Sequence, residues 1–475
     1  MNALGGTILL VLLLVVCLAP RRWALLAIMA GVFFLTQGQS LDVLGFNMYP
    51  VRFLEAFAFA RVLLRRELIW SHLNRLDWTL LLLYNYSALV AIARSHAGAF
   101  QVAAATDPTL CYLAIRGLIG SLEDVQHLLL GVVALLVPFT GLVLVERLTG
   151  SSAFTLVGAA PELLFRNGIA RCQGSFRHAI LLGSVAASFL ALYVALWFGG
   201  VRRVVSALGA FLCLLLIVLS NSGGPVTSTA AVFIGWAAWP VRTRLRTVRW
   251  TALALLLLVV VAMKAPIWYL PYKISSIVGG GGYHRGLLME RAWQDLGRWW
   301  LVGIDSKDTS GWLPYVLEAV GGVDVTNQFL VFALNGGLAA LALCIGVLVA
   351  AFKGLGGALK LVRDAPAQDR AQAFLIWGLG VTIFVHAVSW LGVSYFDQSW
   401  VIWLTHAAAV SVAIQTVALG AQQHAAPAGA TVPNGRPTVD RSIWNDRRRG
   451  PHAANRPVIV RRRFALSDDR AGRNR

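Results

Sequence analysis

The sequence predicts an all-α, polytopic membrane protein of about 11–13 transmembrane helices with two larger outward-facing loops. Three observations carry that prediction. Of 475 residues, 57 % are hydrophobic and only 13 % charged, about half the share of charge that a water-soluble surface carries. The apolar residues gather in stretches that approach the roughly 17–25 residues needed to cross a bilayer. The basic residues, which bring the net charge to +19, fall mostly between those stretches, where the positive-inside rule places them, and not in the pattern of a nucleic-acid binder. A soluble enzyme, a secreted disulfide scaffold and a disordered polymer are excluded. The five cysteines (Cys17, Cys111, Cys172, Cys213 and Cys344) are odd in number and at no motif spacing. They point to neither a disulfide framework nor a metal site, and no cofactor is expected.

Residues 4–18 form the first apolar stretch, and its positive charges, Arg21 and Arg22, follow it instead of preceding it. That order argues for a membrane helix with its N-terminus outside and against a signal peptide. Further helices are expected at about 23–37, 46–64, 78–93, 107–120, 126–145, 178–198, 203–219, 225–240, 250–264, 326–350, 372–394 and 399–417. The weakest are 46–64, which carries Arg52, Glu55 and Arg61, and 107–120, which is short. The groups Arg21/Arg22, Arg61/Arg65/Arg66/Arg75, Arg202/Arg203, Arg242/Arg244/Arg246/Arg249 and Lys353/Lys360/Arg363/Arg370 can all be cytoplasmic together. The chain then divides into N-terminal helices (1–145), a first periplasmic loop (146–177), central helices (178–264), a large periplasmic loop (265–325), C-terminal helices (326–419) and a basic tail (420–475).

The tail holds 12 arginines against 4 aspartates and has the composition of a disordered arm attracted to anionic lipid; a specific partner site is the alternative. No internal repeat of the kind many transporters carry is evident. No soluble nucleotide-binding domain is expected either, and Gly279–Gly282 lacks the Lys-Ser/Thr of a phosphate loop and reads as a hinge.

Chemistry is expected in the two outward segments. The first reads Arg171-Cys172-Gln173-Gly174-Ser175-Phe176-Arg177-His178 and runs into a helix. Arginines beside a helix N-terminus make an anion site, and Gly174 would let backbone approach a ligand; arginines snorkelling to lipid phosphates are the alternative. The second reads Gly282-Tyr283-His284-Arg285 and continues through Glu290, Arg291, Asp295 and Arg298 to Trp299 and Trp300. Helical spacing puts Leu288, Ala292, Leu296 and Trp299 on one face, an amphipathic interfacial helix with the tryptophans as belt residues. Either its charges pair with one another, or Arg285 and Arg291 face a cavity and bind a diphosphate. Polar breaks at Ser220–Pro225 and Asp324–Gln328, with His386, His406 and the Tyr395–Gln398 turn, complete the candidates. Asp324 or Thr326 could cap the helix that follows. No residues stand at the spacing of a nucleophilic triad or a two-carboxylate glycosidase.

Several of these segments together resemble the bacterial O-antigen ligase and polysaccharide polymerase superfamily of membrane proteins. The resemblance rests on Arg171-x-x-Gly174-Ser175-Phe176-Arg177-His178 leading into Leu182-Gly183, and on the Ser220/Ser222-Gly223-Gly224-Pro225 break. It continues in Tyr283-His284-Arg285, Trp299–Gly303, Asp324-Val325-Thr326-Asn327 followed by Gly336-Gly337, and Tyr395–Gln398, over roughly residues 120–415.

The resemblance implies a GT-C-like, metal-independent, inverting glycosyltransferase of the bacterial inner membrane that makes surface polysaccharide or exopolysaccharide. Its donor would be a glycan on undecaprenyl diphosphate, its acceptor a second lipid-linked glycan or a lipid A core, and its neighbours membrane lipids and polysaccharide chain-length or export proteins. Arg177, His178, His284 and Arg285 would then be catalytic, and Arg171, Gly174, Arg291, Asp324, Thr326 and Asn327 would bind substrate. Two positions depart from the family pattern: Ala179 replaces a usual proline, and Thr326-Asn327 stands where ligases have a histidine. The missing histidine favours a polymerase over a ligase. A glycolipid translocase, or a scaffold acting through the tail, is the remaining alternative.

Overall fold

A computed structural model describes residues 1–43, 46–95, 99–270, 273, 282–313, 322–365 and 369–425. The tail from 426 onward and Gly279–Gly281 of the expected hinge lie outside the described residues. A helix stands at every expected position: α1 (Ala3–Leu18), α2 (Arg21–Phe34), α3 (Pro50–Leu64), α4 (Arg75–Ser95), α5 (Ala99–Leu118) and α6 (Leu122–Thr149). The central group is α7 (Ala179–Gly199), α8 (Arg203–Leu219), α9 (Gly223–Ala237) and α10 (Leu245–Ala262). The large loop carries α11 (Tyr283–Gln294) and the single turn α12 (Leu296–Trp299), and the chain closes with α13 (Gln328–Asp364), α14 (Arg370–Trp390) and α15 (Gln398–Ala425). Among the described residues, seven spans are at least 18 residues long and apolar enough to cross a membrane, and α1 and α8 are apolar but shorter. The protein is an all-α polytopic membrane protein.

Helix ends define two faces of the bundle. At one, Asn2 donates to the Leu156 carbonyl, Gln398 Nε2 bridges the carbonyls of Leu35 and Ser175 at 2.9 and 3.0 Å, and the Cys172 N–H reaches Leu219 O. At the other, Arg61 donates to the carbonyls of Val16 and Ala19 and Arg22 pairs with Asp124 at 2.8 Å. The N-terminus and residues 156–175 therefore share the first face, and Arg22 and Arg61 share the second.

The weak helices are held by pairing their charges. Arg52 of α3 meets Asp107 of α5 at 2.6 Å, and Arg61 meets Glu67 at 3.0 Å. A buried charge is tolerated when it is paired, which composition alone does not reveal. The α5 segment also begins earlier than its apolar run predicts and passes through Pro108. Helix α7 is the central pillar: 94 % of its window is buried, against α8, α9 and α14. By contrast, α10 has no buried residue.

Two features depart from expectation. Two short antiparallel hairpins lie between the helices, β1 (Leu41–Val43) with β2 (Phe46–Met48), and β3 (Leu164–Arg166) with β4 (Ile169–Arg171). The amphipathic segment of the large loop stops at Gln294 instead of continuing through Trp300. Its apolar face (Leu288, Ala292) packs with Trp299, Trp312, Leu330 and Leu334 in a small core of its own. Trp299 is thus a core residue whose Nε1 donates to Ala292 O at 2.7 Å, not a belt residue; Trp300 is exposed.

The last surprise is inside α13. Gly336 and Gly337 leave helical geometry, Gly337 at φ +68° and ψ −167°, a region that only glycine enters readily. The freed backbone groups are taken by the loop after α12. Leu338 N–H donates to Trp300 O and Ile304 N–H to Leu334 O, both at 2.8 Å. Arg94 of α4 clamps the joint, donating to Val302 O at 2.8 Å and to Leu334 O at 3.3 Å and pairing with Asp305 at 3.0 Å.

Candidate functional site

At the first face a cavity of about 670 Å³ is bounded by the β3–β4 hairpin, the start of α7, the α8–α9 turn, α9, α11, the residues before α13, and α14 with the turn after it. Local sequence explains its shape. Asn167 and Gly168 both have positive φ (+52° and +72°), the signature of a two-residue type I′ hairpin turn. In that hairpin Leu164 opposes Arg171 and Arg166 opposes Ile169, so Arg166 and Arg171 share one face of the ribbon. Gly183 of α7 lets the α8–α9 turn come close, since a Cβ there would lie 2.4 Å from Pro225.

The cavity gathers Arg166, Arg171, His178, His284, Arg285, Asp324 and Thr326. Arg171 Nη2 donates to Ser222 at 3.3 Å, while its Nε is buried without a partner, as is the Nε of Arg285. The Arg285 guanidinium rests on Gly392, where a Cβ would sit 3.5 Å from Cζ. Burial first, and then the neighbouring Arg166, lowers the pKa of both guanidiniums from the ordinary arginine value. These are cations withdrawn from water with donors left over, the condition that favours an anionic ligand. Below them the wall turns apolar through Val226, Ala230, Ile234, Phe384 and Val388.

His178 caps α7: its Nδ1 accepts the Ile180 N–H at 3.1 Å. Burial, reinforced by Arg171 and Arg166, lowers its pKa to about 4, so it is neutral near pH 7. With Nδ1 accepting, the ring proton is assigned to Nε2. His178 is then a hydrogen-bond donor to the cavity, and a poor base. Asp324 is different. Burial raises its carboxyl pKa, opposed by the nearby His284. It does not cap α13; Asn327 does, accepting the Leu330 N–H at 3.1 Å. That leaves the Asp324 carboxylate and the buried Thr326 Oγ1, which has no partner, facing the cavity.

The other sequence candidates lie elsewhere. Gly174, at φ +59°, gives its N–H to Glu146 Oε2 at 3.0 Å, and Glu146 also takes the Gln173 N–H and the Ser152 hydroxyl. Gly174 therefore shapes the loop and has no N–H to spare for a ligand. Arg177 points away and pairs with Asp397 at 3.0 Å. Arg291 bonds Gln294 at 3.0 Å and is not in the wall. His386 and His406 are buried, and His386 bridges His406 at 2.9 Å and Tyr395 at 2.7 Å. Sequence reasoning missed Arg166, although Asn-Gly between strand-forming residues is a strong hairpin signal. No protein-family model matches the chain, and a search of curated proteins found no match.

Proposed function

We propose that this cavity binds the diphosphate of a lipid-linked glycan, and that the protein transfers the glycan to a hydroxyl of a second lipid-linked glycan, as a polysaccharide polymerase. One observation carries the reading: half-buried arginines with unused Nε donors line the same cavity as an apolar wall from α9 and α14. A polyprenyl diphosphate has that same order, a multiply charged head on a hydrocarbon tail. In the transfer the acceptor oxygen bonds to the anomeric carbon, and the bond from that carbon to the diphosphate oxygen breaks with inversion. The departing charge falls to Arg171 and Arg285, with the His178 Nε2 proton as a neutral donor. The acceptor proton passes to the Asp324 carboxylate, made more basic by burial and oriented beside His284.

A ligase acting on a lipid A core would use the same chemistry with another acceptor. A translocase of the broken-helix type is less well supported, because the break in α13 is filled by the chain's own loop instead of lining the cavity.

The test uses protein in nanodiscs with a lipid-diphosphate-linked glycan from its own host. Carrier release with lengthened glycan is expected. Arg171→Ala and Arg285→Ala should each lose about 10²–10³-fold in rate, as expected for a removed preorganised donor, while Arg177→Ala should lose far less. Release that requires a lipid A core acceptor would make the protein a ligase. Glycolipid binding without release would sink the enzyme reading.

A further inference from the structure

The arginines of the opposite face were read from sequence only as markers of orientation, yet some of them converge on a second cavity. It has a volume of about 370 Å³ and lies between the short 3-10 segment before α10 (Trp239–Arg244), the end of α13 and the start of α14. Arg242, Lys360, Arg363 and Arg370 border it together with Asp369, and Arg363 is paired with Asp364 at 3.1 Å. Asp369 is already engaged as the cap of α14, accepting the Gln372 N–H at 3.1 Å.

Two of these cations are held in place, unlike solvated surface charges. The Arg242 guanidinium lies 4.2 Å over the Trp239 ring, and Arg370 lies 5.3 Å over Phe374. The two rings stack on each other with centroids 4.4 Å apart. An arginine stacked by its face keeps its N–H groups in the plane of the guanidinium, directed outward from the ring. Arg242 spends one of them on Trp239 O at 3.1 Å. The depth also fits: the residues sit where the spans Trp239–Ala262 and Arg370–Trp390 begin, at the level of headgroups, with Leu245 and Leu359 on the apolar side.

We propose that this cavity is a binding site for the phosphodiester headgroup of an anionic phospholipid in the leaflet at the arginine-rich face. Basic pockets between membrane helices on the cytoplasmic side bind such headgroups. Trp239 and Phe374 form the floor, Arg242 and Arg370 supply oriented donors, and Lys360 supplies a mobile charge. This site is independent of the hairpin-lined cavity and of its proposed chemistry.

Native mass spectrometry of delipidated full-length protein, titrated with phosphatidylglycerol or phosphatidylcholine, tests the proposal. One phosphatidylglycerol is expected to bind at a concentration about tenfold lower than phosphatidylcholine. Arg242→Ala/Arg370→Ala should abolish that preference, while Arg246→Ala/Arg249→Ala, which removes equal charge from α10 outside the cavity, should keep it. Should the first pair fail to fold, Lys360→Ala should weaken the preference severalfold. Equal loss in both double variants, or no preference in the wild type, would overturn the proposal. Displacement of the lipid by millimolar inorganic phosphate would reassign the site to free phosphate and overturn the lipid.

Discussion

At the scale of single residues, the hairpin-lined cavity separates groups that sequence treats alike. His178 and His284 are both catalytic candidates from sequence. The α7 cap fixes His178 as a neutral donor, its pKa near 4, which on the proposed reading leaves Asp324 with His284 for proton transfer. Because desolvation at the cavity wall raises the Asp324 pKa, the ionised form is lost on acidification earlier than for an aspartate of ordinary pKa. The rate of glycan transfer should therefore fall as pH drops, with a midpoint above the ordinary aspartate value; Asp324→Asn should cost at least about 100-fold, the lower end of what general-base catalysis contributes. A profile that keeps its acid limb in Asp324→Asn would place the base elsewhere. Arg171 and Arg285 are candidates that sequence offers through their neighbouring glycines and histidines, in segments that also hold Arg166, Arg177, Arg291 and Arg298, and packing alone separates them. Asp324 is less legible, since a carboxylate just before a helix reads equally as a cap, and only the packing shows Asn327 in that role.

Among the secondary-structure elements, α13 is the instructive one. Its sequence has an unbroken apolar character from Gln328 onward, and two glycines in a membrane helix signal little by themselves. The break exists because a loop some thirty residues earlier supplies the missing backbone partners, a long-range fact that periodicity does not encode. At Gly337 a Cβ would lie 2.3 Å from Leu301 O, in a backbone region hostile to side chains. Gly337→Ala should lower the thermal midpoint in detergent and also impair transfer, since Asp324 and Thr326 immediately precede this helix. Gly357→Ala, further along the same helix with open space around it, should be neutral or slightly stabilising, by up to about 1 kcal/mol. Equal effects at both positions would mean that the break is unimportant. The β3–β4 hairpin escaped detection for another reason: strands of three residues show too little alternation to stand out, and only the Asn167-Gly168 turn betrays them.

For the molecule as a whole, hydropathy was sufficient to place the helices and their order along the chain, because the bilayer penalises every unpaired backbone group and charge. It misjudges helices whose charges are matched across the fold. Asp77 shows how far apart the partners lie. Fully buried, it accepts from Tyr112, from Arg116 at 3.1 Å and from Ser411 at 2.7 Å, so it ties α4 to α5 and α15 across 334 residues of sequence. Asp77→Ala strands Arg116, itself buried, and should cost about 3–5 kcal/mol, read as a lower melting midpoint in detergent; an unchanged midpoint would show that water or lipid replaces the carboxylate.

The joint in α13 also imposes an order on biogenesis. The carbonyl of Trp300 and the amide of Ile304 complete a helix made later in the chain, and Arg94, made much earlier, grips the same strip of loop. As the chain emerges from the ribosome, the stretch Trp300–Asp305 must be laid against α4 before α13 has a place to bend. The final three helices therefore close over a scaffold that the first two-thirds of the protein has prepared.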